Sequence, residues 1–170
     1  MFNKLYEEIE DIFKPASVED IEYRKSKKLQ RWISNFEKRK DVTKNPDGTY
    51  DVDGDVDLFN VYFTELPIRF NIVDGNFFCT DNYLTTLVGC PKEVTGSFYC
   101  SDNELTSLKG CPITVGRDFD CIGNELTSLA NLSKYIGGYL FTRDNKKFFR
   151  GRDIPSECTV VRGITNEHNN

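Results

Sequence analysis

The sequence predicts an α+β solenoid: about four stacked coils plus a partial one, with parallel strands along one face and a helical cap before them. Three observations predict it. Segments beginning at Gly75, Gly96 and Arg117 align without a gap at a period of 21 residues. Each opens with alternating apolar residues, the period-two mark of a short strand with one buried face. Ahead of the array, two stretches place apolar residues at helical spacing. A chain of 170 residues is long enough to bury a core of this kind.

The expected order is a helical cap at residues 1–41, a repeat array at 42–145, and a C-terminal cap with a fraying tail at 146–170. Leu5, Tyr6, Ile9, Ile12 and Phe13 form the first helical stripe, and Lys14-Pro15 breaks it. Ser17-Val18-Glu19-Asp20 resembles a capping box, from which Val18, Ile21, Leu29, Trp32, Ile33 and Phe36 carry a second helix to about Lys40. Stacked coils need their ends covered, and these helices are placed to cover one. Asp47-Gly48 then turns the chain into strand. A degenerate repeat starts at Gly54, and a fifth fragment starts at Gly138 and loses the pattern after Asn145.

Each column of the repeat has a physical reading. The third position (Val56, Phe77, Phe98, Phe119, Leu140) and the fifth (Leu58, Cys79, Cys100, Cys121, Thr142) face inward from the strand. The tenth and thirteenth hold Leu84, Leu105, Leu126 and Leu87, Leu108, Leu129, and the twentieth holds Val73, Val94, Val115 and Ile136. One coil cannot bury these side chains alone; stacked neighbours do. Asn82, Asn103, Asn124 and Asn145 occupy the eighth position, where an amide can satisfy backbone groups as the chain leaves the strand. Pro91 and Pro112 suit an extended return segment that donates nothing to a ladder.

The resulting phrase, F-x-C-x-x-N-x-L-x-x-L over about residues 49–145, resembles the leucine-rich-repeat core L-x-L-x-x-N-x-L. Phe and Cys stand in two of its aliphatic slots. The short period and the run Asn103-Glu-Leu-Thr-Ser-Leu108 are similar to repeats of bacterial effector leucine-rich-repeat proteins, and more so to uncharacterised bacteriophage leucine-rich-repeat proteins. The resemblance implies parallel strands lining a concave face that binds a partner. It also implies a phage accessory protein that blocks or redirects a host protein, a defence component for instance, by steric occlusion in the host cytoplasm.

Composition narrows the functional classes. The 27 acidic and 22 basic residues leave a net charge of −5, which argues against a polybasic nucleic-acid coat. No apolar run approaches the roughly 18 residues of a membrane span. Acids stand near the N-terminus where a signal peptide needs an apolar run, so a cytoplasmic chain is expected. The single histidine, His168, lies among the last three residues. Triads and Cys–His pairs need a well-held imidazole, so no enzyme, catalytic residue or cofactor is expected.

The candidate site is the outward face of the strands. Phe59, Phe78, Tyr99, Asp118, Asp120, Ile122, Tyr139, Phe141 and Arg143 fall on outward positions, and a contiguous aromatic patch of this kind marks a partner-binding surface. The expected partner is a protein, of the host under the phage reading. Pairing with a second copy, or a structural role in a virion or its assembly, is a further reading.

A different class of reading rests on residues 24–40, which hold eight Lys or Arg against Glu37 alone. Arg24, Lys25, Lys27, Lys28 and Arg31 would then contact phosphates of a nucleic acid. The five cysteines at columnar spacing (Cys79, Cys100 and Cys121; Cys90 and Cys111) are read as core thiols, since the period alone explains them. The run Asp51 to Asp57 alternates acids but lacks the order of an EF-hand loop, so no metal is expected there.

Overall fold

The computed structural model describes residues 27 and 29–165. The chain divides into two compact units, Met1–Phe36 and Glu37–Asn170. In the first unit residues 29–36 are helical, and Trp32 stacks on Phe36 one turn later, with ring centroids 5.1 Å apart. The expected first helix, and Arg24, Lys25 and Lys28, lie outside the described residues. The helix stops at residue 36 rather than near Lys40. From Glu37 the side chains serve the next unit: the Glu37 carboxylate accepts from Tyr50 Oη and from Lys44 Nζ (2.9 Å). Arg39 pairs with Asp41 and donates to the Asp55 carbonyl (3.0 Å).

The second unit is a parallel-strand β-solenoid of about six turns. Its strands in chain order are β1 (Val42–Lys44), β2 (Tyr50–Val52), β3 (Val56–Asp57), β4 (Phe70–Val73), β5 (Phe77–Phe78), β6 (Glu93–Val94) and β7 (Phe98–Tyr99). There follow β8 (Thr114–Val115), β9 (Phe119–Asp120), β10 (Tyr135–Ile136), β11 (Leu140–Phe141), β12 (Thr159–Val160) and β13 (Ile164–Thr165). They form two sheets, ordered β1-β2-β4-β6-β8-β10-β12 and β13-β11-β9-β7-β5-β3. Each full turn gives one strand to each sheet. Among the described residues only β1 runs antiparallel, against β2, through the turn at Asp47-Gly48, where Gly48 takes φ 81°.

The register is the sequence period made physical. Val56, Phe77, Phe98, Phe119 and Leu140 pair in succession in the second sheet. Glu93, Thr114 and Tyr135 do so in the first. That first sheet is a feature the periodicity did not anticipate: the twentieth position is not merely an inward column on a return segment but the buried half of a second strand.

The array also continues past Asn145, where the sequence pattern ends. Leu140 pairs with Ile164 and Tyr135 with Thr159, steps of 24 residues instead of 21. A short 3-10 turn at Gly151–Asp153 lies within this longer step, and Phe149 is fully buried there.

The core is a set of columns running along the stack. Phe77, Phe98 and Phe119 are fully buried, with successive centroids 5.7 and 5.1 Å apart. Leu84, Leu105 and Leu126, and Leu87, Leu108 and Leu129, are buried beside them. Where the chain leaves the second sheet, Asn60, Asp81, Asp102, Gly123 and Asp144 all take left-handed φ between 50° and 63°. The seventh position therefore accepts only residues that tolerate that conformation, Asn, Asp and Gly.

The corner between the sheets leaves no room for a side chain. A Cβ on Gly116 would sit 2.1 Å from the Thr95 carbonyl oxygen, and one on Gly137 2.1 Å from that of Gly116. Gly116→Ala is expected to force adjacent coils apart at a cost of about 3 kcal/mol, at the upper end of overpacking. Gly151→Ala, with open space around it, should change stability by less than about 0.5 kcal/mol. Urea denaturation of the two variants checks this; equal midpoints would refute the tight corner.

Candidate binding face

The outward face of the second sheet is built one residue per coil. Inward Phe77, Phe98, Phe119 and Leu140 alternate with outward Phe78, Tyr99, Asp120 and Phe141, so the strands present a row Asp57–Phe78–Tyr99–Asp120–Phe141–Thr165. Phe78 and Tyr99 are half-buried, their rings parallel within 1° and 4.9 Å apart. Tyr139 and Phe141 lie 6.0 Å apart further along, and the Arg162 guanidinium sits 5.6 Å above the Tyr139 ring. Phe59 is exposed at the other end. Arg143 is half-buried and paired with Asp144.

Several of the expected site residues have structural work instead. Ile122, read as exposed, is buried at 8%. Its position already lies past the strand, beside the left-handed turn, where the neighbouring coils cover each other's side chains; Ser101, one coil earlier, is buried too. The Asp118 carboxylate accepts the Tyr139 amide (2.7 Å), the last rung of a ladder at the second position. Before it, Asp55 accepts the Asn76 amide (2.6 Å), Asn76 the Ser97 amide (2.9 Å) and Ser97 the Asp118 amide (3.2 Å). Asp57 and Asp120 each give one oxygen to the amide two residues on, those of Phe59 and Ile122 (both 2.9 Å).

The asparagine column ties each coil to the one before it. Asn103 Nδ2 donates to the carbonyls of Cys79 (2.9 Å), Cys100 (3.2 Å) and Ser101 (3.0 Å), while its Oδ1 accepts the Leu84 amide (2.9 Å). Asn82, Asn124 and Asn145 repeat the arrangement. All six cysteines are free. Cys79, Cys100 and Cys121 donate their thiols to the Tyr99, Asp120 and Phe141 carbonyls at 3.2–3.3 Å. Burial pushes the Cys90, Cys100 and Cys121 thiols well up, and carries Cys111 to about 11.

Other candidates distribute as follows. Asp51 accepts from Asn71 Nδ2 (2.9 Å) and the Ile72 amide (3.1 Å), which makes it a rung between coils. Among the described residues no group of three or more His, Cys, Asp or Glu side chains is placed to hold a metal ion. None of their helices is long and apolar enough to cross a membrane. Lys27 and Arg31 of the basic stretch are exposed.

Sequence reasoning missed a second exposed aromatic pair, Tyr62 and Tyr83, stacked 6.2 Å apart. The ninth column, Tyr62 and Tyr83 followed by Glu104 and Glu125, carried that signal. It also missed Arg162, because the longer last step hid its register. No family model matches the chain, and no curated protein or solved structure is similar to it.

Proposed function

We propose that this chain is a non-catalytic protein-binding module of the leucine-rich-repeat kind, acting through the outward face of the second sheet. The observation that carries the reading is the parallel Phe78–Tyr99 stack, half-buried on a regular sheet and continued by Phe141 and Tyr139. Rigid aromatic side chains on such a scaffold offer large contact area at small entropic cost, the usual character of an interface centre. The repeat phrase supports the leucine-rich-repeat assignment, and the helical residues 29–36 support an N-terminal helical cap as part of it. In this reading the protein is a bacteriophage accessory factor that occludes a host protein in the cytoplasm.

An affinity capture from bacterial lysate tests it, with the wild type beside a Phe78→Ala, Tyr99→Ala, Phe141→Ala variant. A protein retained by the first and lost by the second is the expected result. Retention by both would move the site elsewhere. Loss from both on nuclease treatment would favour nucleic-acid binding through the basic stretch containing Lys27 and Arg31. An assembly larger than one chain with nothing captured would favour self-association.

A further inference from the structure

We infer that the last turn of the solenoid docks an added strand from a partner protein: an extended segment with apolar residues four apart and acids between them. This surface is the end of the stack, apart from the outward face of the second sheet.

The backbone leaves that end unfinished. In the second sheet Phe98, Phe119 and Leu140 donate their amides to the Asp118, Tyr139 and Gly163 carbonyls of the coil ahead. Ile164 is next in that column and aims its amide where a further strand would lie. In the first sheet the Val94, Val115 and Ile136 carbonyls accept the Gly116, Gly137 and Val161 amides. Val160 follows Ile136 in register and aims its carbonyl the same way. Among the described residues no coil follows to meet either group. An edge with a donor and an acceptor so placed is a template for strand addition.

The side chains are unfinished too. Ile136 and Leu140 are fully buried, whereas Val160 and Ile164, one coil on, are half-buried. Residues 166–170 offer no apolar side chain. Val94 and Phe98, Val115 and Phe119, Ile136 and Leu140, and Val160 and Ile164 all stand four residues apart. A segment that continues the stack needs the same spacing.

Charge selects the rest. Residues 146–165 hold five Lys or Arg against Asp153 and Glu157. Lys146 and Lys147 are paired with Glu125 and Asp153. Arg150, Arg152 and Arg162 are exposed and form no ion pair among the described residues. Arg162 stands midway between Val160 and Ile164, so acids on either side of the segment's central residue flank it in register and bond its guanidinium. The chain's own Val52-Asp53-Gly54-Asp55-Val56 has this pattern, but Val52 and Val56 are only 2% and 1% exposed. A second copy therefore has no such segment to offer, and a different protein supplies it.

Amide NMR of the full chain, titrated with acetyl-Thr-Val-Asp-Gly-Asp-Val-Thr-amide, tests this. Expected are saturable shifts from Val160 to Ile164, with Phe78 and Tyr99 unmoved. A peptide with Asn for both Asp should bind about tenfold more weakly. An Arg150→Gln/Arg152→Gln/Arg162→Gln variant, its changes all at exposed positions, should bind the two peptides alike. N-methylation of the first Asp amide, the one that meets the Val160 carbonyl, should abolish binding without any change to the protein. Equal binding of the N-methylated peptide, or of the Asn peptide to the wild type, would overturn the inference. So would a variant that still prefers the acidic peptide. Shifts at the same amides on raising the protein concentration alone would give the end to a second copy, and equal shifts from inorganic phosphate would give it to phosphate groups; either result overturns the inference.

Discussion

Replacing Asn103 by alanine is expected to destabilise the solenoid by about 3 kcal/mol, at the upper end of ordinary single substitutions in a domain. The side chain is buried at the centre of the array and serves three carbonyls and one amide. Alanine orphans the Leu84 amide and takes one donor from each of the three carbonyls, which keep Asn82, Asn124 and the Asp81 amide as donors; an unsatisfied buried group costs about 1–3 kcal/mol, and the vacated space adds to it. Asn103→Asp should do no better, since it trades the Nδ2 donor for a charge facing three carbonyl oxygens. Asn145→Ala, at a half-buried end of the column, should lose less. Chemical denaturation of the three variants decides it. A loss below about 1 kcal/mol for Asn103→Ala would mean that water replaces the amide, and the column would not be what joins the coils.

Alkaline pH is expected to unfold the protein well before ordinary side-chain titration would. The folded chain holds the Cys90, Cys100, Cys111 and Cys121 thiols above their ordinary range, chiefly because burial penalises the thiolate. In the unfolded chain they release their protons near pH 8.5. Stability is therefore complete below about pH 8.5 and is lost as pH rises toward the folded values. Each thiol kept protonated contributes a slope of about 1.4 kcal/mol per pH unit, so Cys90, Cys100 and Cys121 together give about 4. Urea midpoints measured from pH 7 to about 10 should fall steeply, and a Cys90→Ala, Cys100→Ala, Cys121→Ala variant should show a much flatter profile. A flat wild-type profile would mean that these thiols are accessible in the native state.

The columns were legible because stacking forces them. Phe77, Phe98 and Phe119 must meet their equivalents one period away, so the periodicity carries both the pairing and the register. The asparagine column was legible for the same reason, since a repeated amide inside a core has to be satisfied. What stayed hidden was local. In the first sheet the inward residues fall three apart, Pro91 and Val94 or Pro112 and Val115, so no period-two alternation declares its strands. The last turn was hidden because three inserted residues shift Ile164 and Thr165 out of phase. At the candidate site, Phe78, Tyr99 and Phe141 followed from the outward rule. Asp118 and Ile122 did not, because a short polar side chain at the corner reaches the next coil's amide, and coil stacking covers residues just past the strand. The seventh column was legible in principle: its Asn, Asp and Gly share a tolerance for positive φ rather than a charge or a size.

The 21-residue step between paired residues of the central coils has a consequence for how the chain can change length. Phe77 meets Phe98, and Phe98 meets Phe119, whatever lies further along. Contacts therefore stay equally local in a longer array, and neighbour-to-neighbour stability adds coil by coil. Gain or loss of one whole 21-residue unit preserves every hand-over of backbone and asparagine bonds, while a shorter insertion within a strand breaks the phase on both sheets. Each unit lengthens the outward stripe by about 4.8 Å, so the molecule behaves as a ruler whose markings are copied rather than redesigned.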